Sequence, residues 1–214
     1  NKASLQLASF LTQQGLEVRV APLVGKDWRE RLETALKDWK PRWAAISCKW
    51  WDTVHGALVV AEHIRQHHPH IKLVTGGQTA TSFAQEIIQK TVFDAVITGD
   101  AEVPLAQLVQ GDPQCNAYLK DGDGFRRLAQ KYVQPGQGGE KLTLLPDLTQ
   151  IAPKELLYHA GFMVPFVWTG KGCQSACSFC SGSAFGHKKL FGRTGFQYRP
   201  IEQTLADMEA LDRK

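Results

Sequence analysis

Three of the chain's five cysteines fall inside eight residues: Cys173, Cys177 and Cys180, in the stretch GKGCQSACSFC. Four chemistries compete for this C-x3-C-x2-C spacing. Structural zinc wants four ligands in a closed tetrahedron, and His187 is a stretched fourth. A redox pair needs C-x-x-C near a helix start, which Cys177 and Cys180 offer while Cys173 goes unexplained. Unrelated structural thiols are seldom so crowded. An iron–sulfur cluster takes thiolates on iron, and three thiolates on a four-iron cube leave one iron open to an outside ligand. That last reading uses every cysteine and requires no missing one.

The bulk properties narrow the setting. The chain has 214 residues, 43% of them hydrophobic, enough for one large domain or two small ones. No apolar run is long enough to cross a bilayer, and no charged segment with an apolar core and cleavage site opens the chain, so the expected location is cytoplasmic. A net charge of +4 with no long basic run weighs against a dedicated nucleic-acid binder. An odd, crowded set of cysteines fits a reducing compartment better than a secreted disulfide framework.

The elements that must position the thiols come in two patterns. Helical periodicity over 3–14 ends at Gly15, and 16–21 alternates like a strand. Helices are expected at 28–39, 53–67, 82–90 and 103–109, and strands at 43–48, 71–75 and 94–98. Strand and helix alternating at short spacing predict an α/β fold, a doubly wound parallel sheet over residues 1–110. Such a sheet normally opens on its central strand, which is expected before Asn1. Residues 111–162 are rich in Gly, Pro and Asp and read as a connector, with a small hairpin around 126–145. The Asp121–Gly124 run lacks the later ligands of a calcium loop. Residues 163–214 read as a second domain: a strand over 163–169, the cysteine loop, and a helix over 200–211 with Ile201, Leu205, Met208 and Leu211 on one stripe.

In doubly wound sheets, ligands sit outside the carboxyl ends of the strands. Those ends carry Ser47, Cys48, Lys49, Trp50 and Trp51; then Gly76, Gly77 and Gln78; then Gly99, Asp100 and Glu102. Glycine there lets backbone approach a ligand, although turn glycines look the same in a sequence. Cys48 reads as a small core thiol, and Trp50 and Trp51 as core caps. The histidines at 63, 67, 68 and 70 read as a solvated helix end before Pro69.

The cysteine motif, with Phe179 just before its last member, resembles the radical S-adenosylmethionine (SAM) superfamily. VPFVWTGKG (164–172) resembles that family's first barrel strand, and YRPIE (198–202) the start of its first barrel helix. LASFLTQQGLEVRV (7–20), VTGGQ (74–78) and ITGDAE (97–102) are similar to the flavodoxin-like cobalamin-binding domain that precedes the barrel in B12-dependent members. The resemblance implies a cobalamin-binding domain followed by the beginning of a partial (β/α) barrel. It implies a [4Fe-4S] cluster on Cys173, Cys177 and Cys180, SAM chelated by the free iron, and Phe179 beside its adenine. It implies a cobalamin bound near Ser47, Gly76, Gly77, Gln78, Gly99, Asp100 and Glu102, with Gly77 letting backbone approach the corrin. No Asp-x-His-x-x-Gly motif marks a lower cobalt ligand, as is usual in that branch, and Gln174 stands where proline is frequent.

The implied activity is a methyltransferase: one-electron cleavage of SAM gives a 5′-deoxyadenosyl radical, and methylcobalamin supplies the methyl group. A small-molecule or peptide substrate and an electron donor such as flavodoxin or ferredoxin are the implied partners, with neither membrane nor nucleic acid. No catalytic residue is assigned. Two rivals stand beside this. A methylthiotransferase would carry a second cluster on three further cysteines, of which this chain has only Cys48 and Cys115. Alternatively the sheet is a scaffold or partner-binding domain without cobalamin.

Overall fold

The computed structural model describes residues 2–23, 25–37, 39–131, 158–159, 162–163, 167 and 169–212. The chain forms two compact units. One gathers residues 1–40, 135–171 and 197–214; the other gathers 41–134 and 172–196.

The second unit holds a five-stranded sheet in the order β1 (Trp43–Ser47), β2 (Lys72–Gly76), β3 (Ala95–Ile97), β4 (Ala117–Asp121) and β5 (Gly124–Arg127). β1, β2 and β3 run parallel, with Ser47 opposite Gly76 and Thr75 opposite Val96. The parallel sheet expected over residues 1–110 is present as β1, β2 and β3, and the hairpin β4–β5, from the stretch read as a connector, extends it antiparallel. The hairpin lies earlier than 126–145. Gly122 and Asp123 form a two-residue turn between the paired Asp121 and Gly124, with Gly122 at φ +54°. The remainder of that expected hairpin, 132–145, falls outside the described residues.

Parallel strands are joined by helices that cover the sheet, so their central members are apolar on both faces. β3 is buried throughout, as are Leu73, Val74 and Thr75 of β2. The connecting helices are α3 (Val54–His67), the pair α4 (Gln78–Ser82) and α5 (Ala84–Lys90), and α6 (Glu102–Gln110). Ala57, Val60, Ala61 and Ile64 of α3 are buried at helical spacing. The helix expected over 82–90 starts earlier and breaks at Phe83, whose φ of −120° leaves the helical region. α6 ends at Gly111 in the left-handed conformation, which glycine adopts without a Cβ clash. At the far end of the sheet, the Asp94 carboxylate accepts from Leu73 N at 2.7 Å and from Arg65 Nη2 at 2.5 Å, tying β2, β3 and α3 together.

The first unit contains α1 (Lys2–Gln13) and α2 (Trp28–Lys37). Gly15, at φ +78°, ends α1 as expected: Leu16 N donates to Leu11 O at 3.2 Å. Residues 16–21 alternate like a strand but form none. Alternation alone does not make a strand, because the backbone must also pair with a neighbouring strand. This unit also holds β6 (Tyr158–His159), paired antiparallel with β7 (Phe162–Met163). Most of the strand expected over 163–169 falls outside the described residues.

Two short strands, β8 (Gly170–Gly172) and β9 (Phe196–Tyr198), flank the cysteine region. Between them lies α7 (Ala184–Phe191), a helix the sequence reading missed, and β9 leads into α8 (Ile201–Asp212). At the start of α8, Arg199 Nη1 donates to Asp207 Oδ2 at 3.0 Å, both side chains being buried. Ile201, Leu205 and Met208 of the predicted apolar stripe are exposed.

Candidate cofactor site

Three loops leave the carboxyl edge of the parallel strands, and the chain bonds them to one another. Cys48 N donates to Gly76 O at 2.9 Å, and Thr79 N and Ala80 N donate to Lys49 O and Cys48 O, each at 3.2 Å. Thr81 Oγ1 donates to Gly77 O at 2.8 Å and accepts from Gly99 N at 3.0 Å. Ser47, Gly76, Gly77, Gln78 and Gly99 are therefore brought to one edge, as parallel strands require. Thr79 and Thr81 join the loops there, and the sequence offered no signal for them beyond their place after the double glycine.

Gly77 has a reason to be glycine within the fold itself, beside the expected one. Its φ is +111°, and a Cβ there would stand 2.9 Å from Lys49 Cα and 3.0 Å from Cys48 O. The loop after β1 already fills the space, so this glycine admits the chain's own backbone. Gln78 and Glu102 are buried, as is Cys48. Trp50 and Trp51 do not cap the core: Trp51 is 77% exposed, and Lys49 Nζ lies 5.0 Å from the centroid of the half-exposed Trp50 ring.

The cysteine segment belongs to the same compact unit as this edge. Gly172 enters it at φ +106°, with Gly195 O and Phe196 Cα where a Cβ would go. Cys177 and Cys180 are exposed and Cys173 half-exposed, all as free thiols. Ser175 N donates to Cys173 Sγ at 3.4 Å, Cys180 N to Cys177 O at 3.3 Å, and Ala184 N to Ser175 O at 2.9 Å. Phe179 is 92% exposed. The loop closes on Ser183, which caps α7 by accepting from Gly186 N. Gly186 admits no side chain, because Ser181 O occupies the Cβ position. Gly192, at φ +67°, ends the helix. The span from Ser183 to Gly192 was a legible cap-to-cap signature, hidden by its shortness and by an internal glycine.

These residues fit an iron–sulfur cluster. Three accessible thiols on one turn are the required donor set, and a backbone N–H already points at one sulfur, the kind of bond that stabilises cluster thiolates. Among the described residues, no three His, Cys, Asp or Glu side chains converge as a single-ion site does. A cluster places each thiolate on a different iron, so it does not need such convergence. The histidines at 63 and 67 stack on each other at 4.1 Å, and His67 Nδ1 lies 2.9 Å from His63 O.

α7 carries the cysteine segment to the sheet's edge. Leu190 O and Phe191 Cα lie 3.9 Å from where a Gly99 Cβ would stand. Gln130 Nε2 donates to Leu190 O at 3.2 Å. Arg193, just past the helix, is buried, with its guanidinium between Asp100 Oδ2 and His187 Nδ1. Burial holds the His187 pKa below its ordinary value, reinforced by the Arg193 charge and opposed by Asp100. Burial likewise raises the Cys48 and Cys115 thiols, which favours their protonated form.

A mixed α/β sheet, parallel over β1 to β3 with bonded glycine loops at its carboxyl edge, is consistent with a flavodoxin-like fold of the B12-binding type. Residues 3–109 match the profile of the B12 binding domain, and the chain belongs to that family. Its fold is similar to that of the radical S-adenosylmethionine methyltransferase TsrM from Kitasatospora setae, solved with cobalamin and a [4Fe-4S] cluster bound: TM-score 0.72 at 16% identity, over 98% of this chain and 43% of that one. A second structure of TsrM, with tryptophan substrate and the SAM analogue aza-SAM, gives 0.67 at 17% identity, over 99% of this chain and 42% of that one. In sequence, the chain is 26% identical over 175 residues to a Methanocaldococcus jannaschii protein whose name assigns it to the methylthiotransferases. That match covers 76% of this chain and 34% of the relative, so the chain spans about a third of that curated relative's length. Among the described residues, no helix is long and apolar enough to cross a membrane.

Proposed function

We propose that this chain is the cobalamin-binding and cluster-binding portion of a B12-dependent radical SAM methyltransferase. The observation that carries the proposal is the placement of three accessible thiols and a cobalamin-type sheet edge in one compact unit, with α7 running from the thiols to Gly99. When bound, a [4Fe-4S] cluster supplies the electron that cleaves SAM, and cobalamin supplies a methyl carrier. Cys173, Cys177 and Cys180 hold the cluster and leave one iron open. Phe179, whose ring is otherwise left in water, covers the adenine of SAM. Ser47, Gly76, Gly77, Gln78, Gly99, Asp100 and Glu102 form or support the cobalamin edge, with Gly77 and Glu102 serving from within the fold. The substrate is a small molecule or peptide, the electron donor a flavodoxin or ferredoxin, and the compartment the cytoplasm.

The methylthiotransferase reading draws support from the archaeal relative's name. It requires a second cluster, and Cys48 and Cys115 suit one poorly: both are buried, with burial favouring the thiol over the thiolate. The absorbance spectrum of the anaerobically reconstituted full-length protein separates the readings. Cobalamin bands with one four-iron cluster are expected. A second cluster without cobalamin would favour methylthiolation, and neither would leave the sheet a scaffold.

A further inference from the structure

Arginine does not shed its charge in a protein, so a buried guanidinium needs partners. The Arg193 side chain is 2% exposed and that of Asp100 14%. The guanidinium donates through Nη2 to Asp100 Oδ2 and through Nη1 to His187 Nδ1, the latter at 3.0 Å. Arginine only donates, so His187 Nδ1 must accept, and the ring is the neutral tautomer with its proton on Nε2. Phe191 packs on the same group, its ring centroid 5.6 Å from Arg193 Cζ. The local backbone is built for this: Gly192 turns the chain, and Arg193 N donates to His187 O at 3.2 Å.

Asp100 and His187, both bonded to Arg193, lie on different parts of the site. Asp100 directly follows Gly99 in the loop after β3. His187 lies on α7, which follows the last cysteine. Exposed ion pairs contribute little, but a pair as buried as this is costly to break and so specifies one arrangement. We infer that Arg193 is a positioning residue: through Asp100 it locks the cysteine segment onto the loop after β3, and so sets the separation of cluster and cobalamin. The inference rests on the proposed function for the identity of the two cofactors. The lock itself does not. In this account the Asp100 carboxylate acts on the site through Arg193.

Hydrogen exchange on the full-length protein without cofactors tests the lock. Arg193→Gln and Asp100→Asn should each speed amide exchange by about tenfold or more in both segments, 99–101 and 173–192, while β1 and β2 keep their protection. The double variant should lose less protection than the sum of the single ones, since each removes the Arg193–Asp100 interaction that they share. Acceleration in only one of the two segments, or additive effects, would overturn the lock. If Arg193→Gln does not fold, Arg193→Lys carries the same test, because lysine keeps the charge but not the planar fork that reaches both partners.

Pulsed electron paramagnetic resonance on the reconstituted protein then tests the positioning role, by the magnetic coupling between reduced cluster and cob(II)alamin. Arg193→Gln should change or broaden that coupling with iron and cobalamin content unchanged. An unaltered coupling would refute the positioning role and leave the proposed function standing. A wild-type protein lacking either cofactor would refute the proposed function, with the exchange result still deciding the lock.

Discussion

Gly77 and Lys49 stand in close register: a Cβ on Gly77 would come within 2.9 Å of Lys49 Cα. The loops after β1 and β2 are thus packed backbone against backbone at the edge where the cofactor is proposed to sit. A branched side chain at 77 meets this backbone and also the left-handed φ of +111°. Gly77→Val should therefore destabilise the unit by about 1–3 kcal/mol and lower cobalamin affinity by about tenfold or more. Thermal unfolding and hydroxocobalamin titration of the same preparations give both numbers. Weakened cobalamin binding at unchanged stability would show that the glycine serves the corrin alone.

The thiols divide by accessibility. Cys177 is exposed, whereas Cys115 is buried and pushed toward its protonated form. Cys177→Ala should abolish cluster assembly and SAM cleavage, and Cys115→Ala should leave both intact. Iron and sulfide analysis after anaerobic reconstitution checks this. A full cluster in Cys177→Ala would remove that residue from the site.

His187 gives the unit an acid-sensitive joint. Its folded pKa lies below the unfolded value of about 6.5. The neutral ring is the folded form, so this stabilisation is complete above the unfolded value and is lost as pH falls through the folded one. His187→Asn keeps an acceptor for Arg193 without titrating. The drop in Tm between about pH 7.5 and pH 5.5 should be smaller in the variant than in the parent. Identical drops would place the acid sensitivity elsewhere.

In the other unit, the buried pair of Arg199 and Asp207 at 3.0 Å should be costly to break from one side. Asp207→Asn leaves the guanidinium facing a neutral amide, and a loss of about 3 kcal/mol is expected. Replacing both residues, as Arg199→Met with Asp207→Leu, should cost less than the single change, because no unpaired charge remains. Urea unfolding of the three proteins decides the order. A double variant less stable than Asp207→Asn would show that the pair contributes net stability.

Much of this was legible along the chain. The cysteine spacing marked a candidate cluster loop because three thiols on one short loop are contiguous in sequence. β2 and β3 were legible because central parallel strands are apolar on both faces and lead into glycine, and β1, at the sheet's edge, was legible as a short apolar run. The helix expected over 28–39, found as Trp28–Lys37, and the Gly15 stop followed from periodicity and a left-handed cap. Pairing was not legible. Residues 16–21 carry a strand's alternation and are not paired as one, and β4 and β5 run antiparallel because a two-residue turn at Gly122 and Asp123 folds them back. Nor did the sequence say what a glycine makes room for: at Gly77 it is the chain's own backbone. The pairing of Arg193 with Asp100 joins residues 93 positions apart. Periodicity and spacing carry only local information, and a buried charge reveals its partner only once the chain has folded around it.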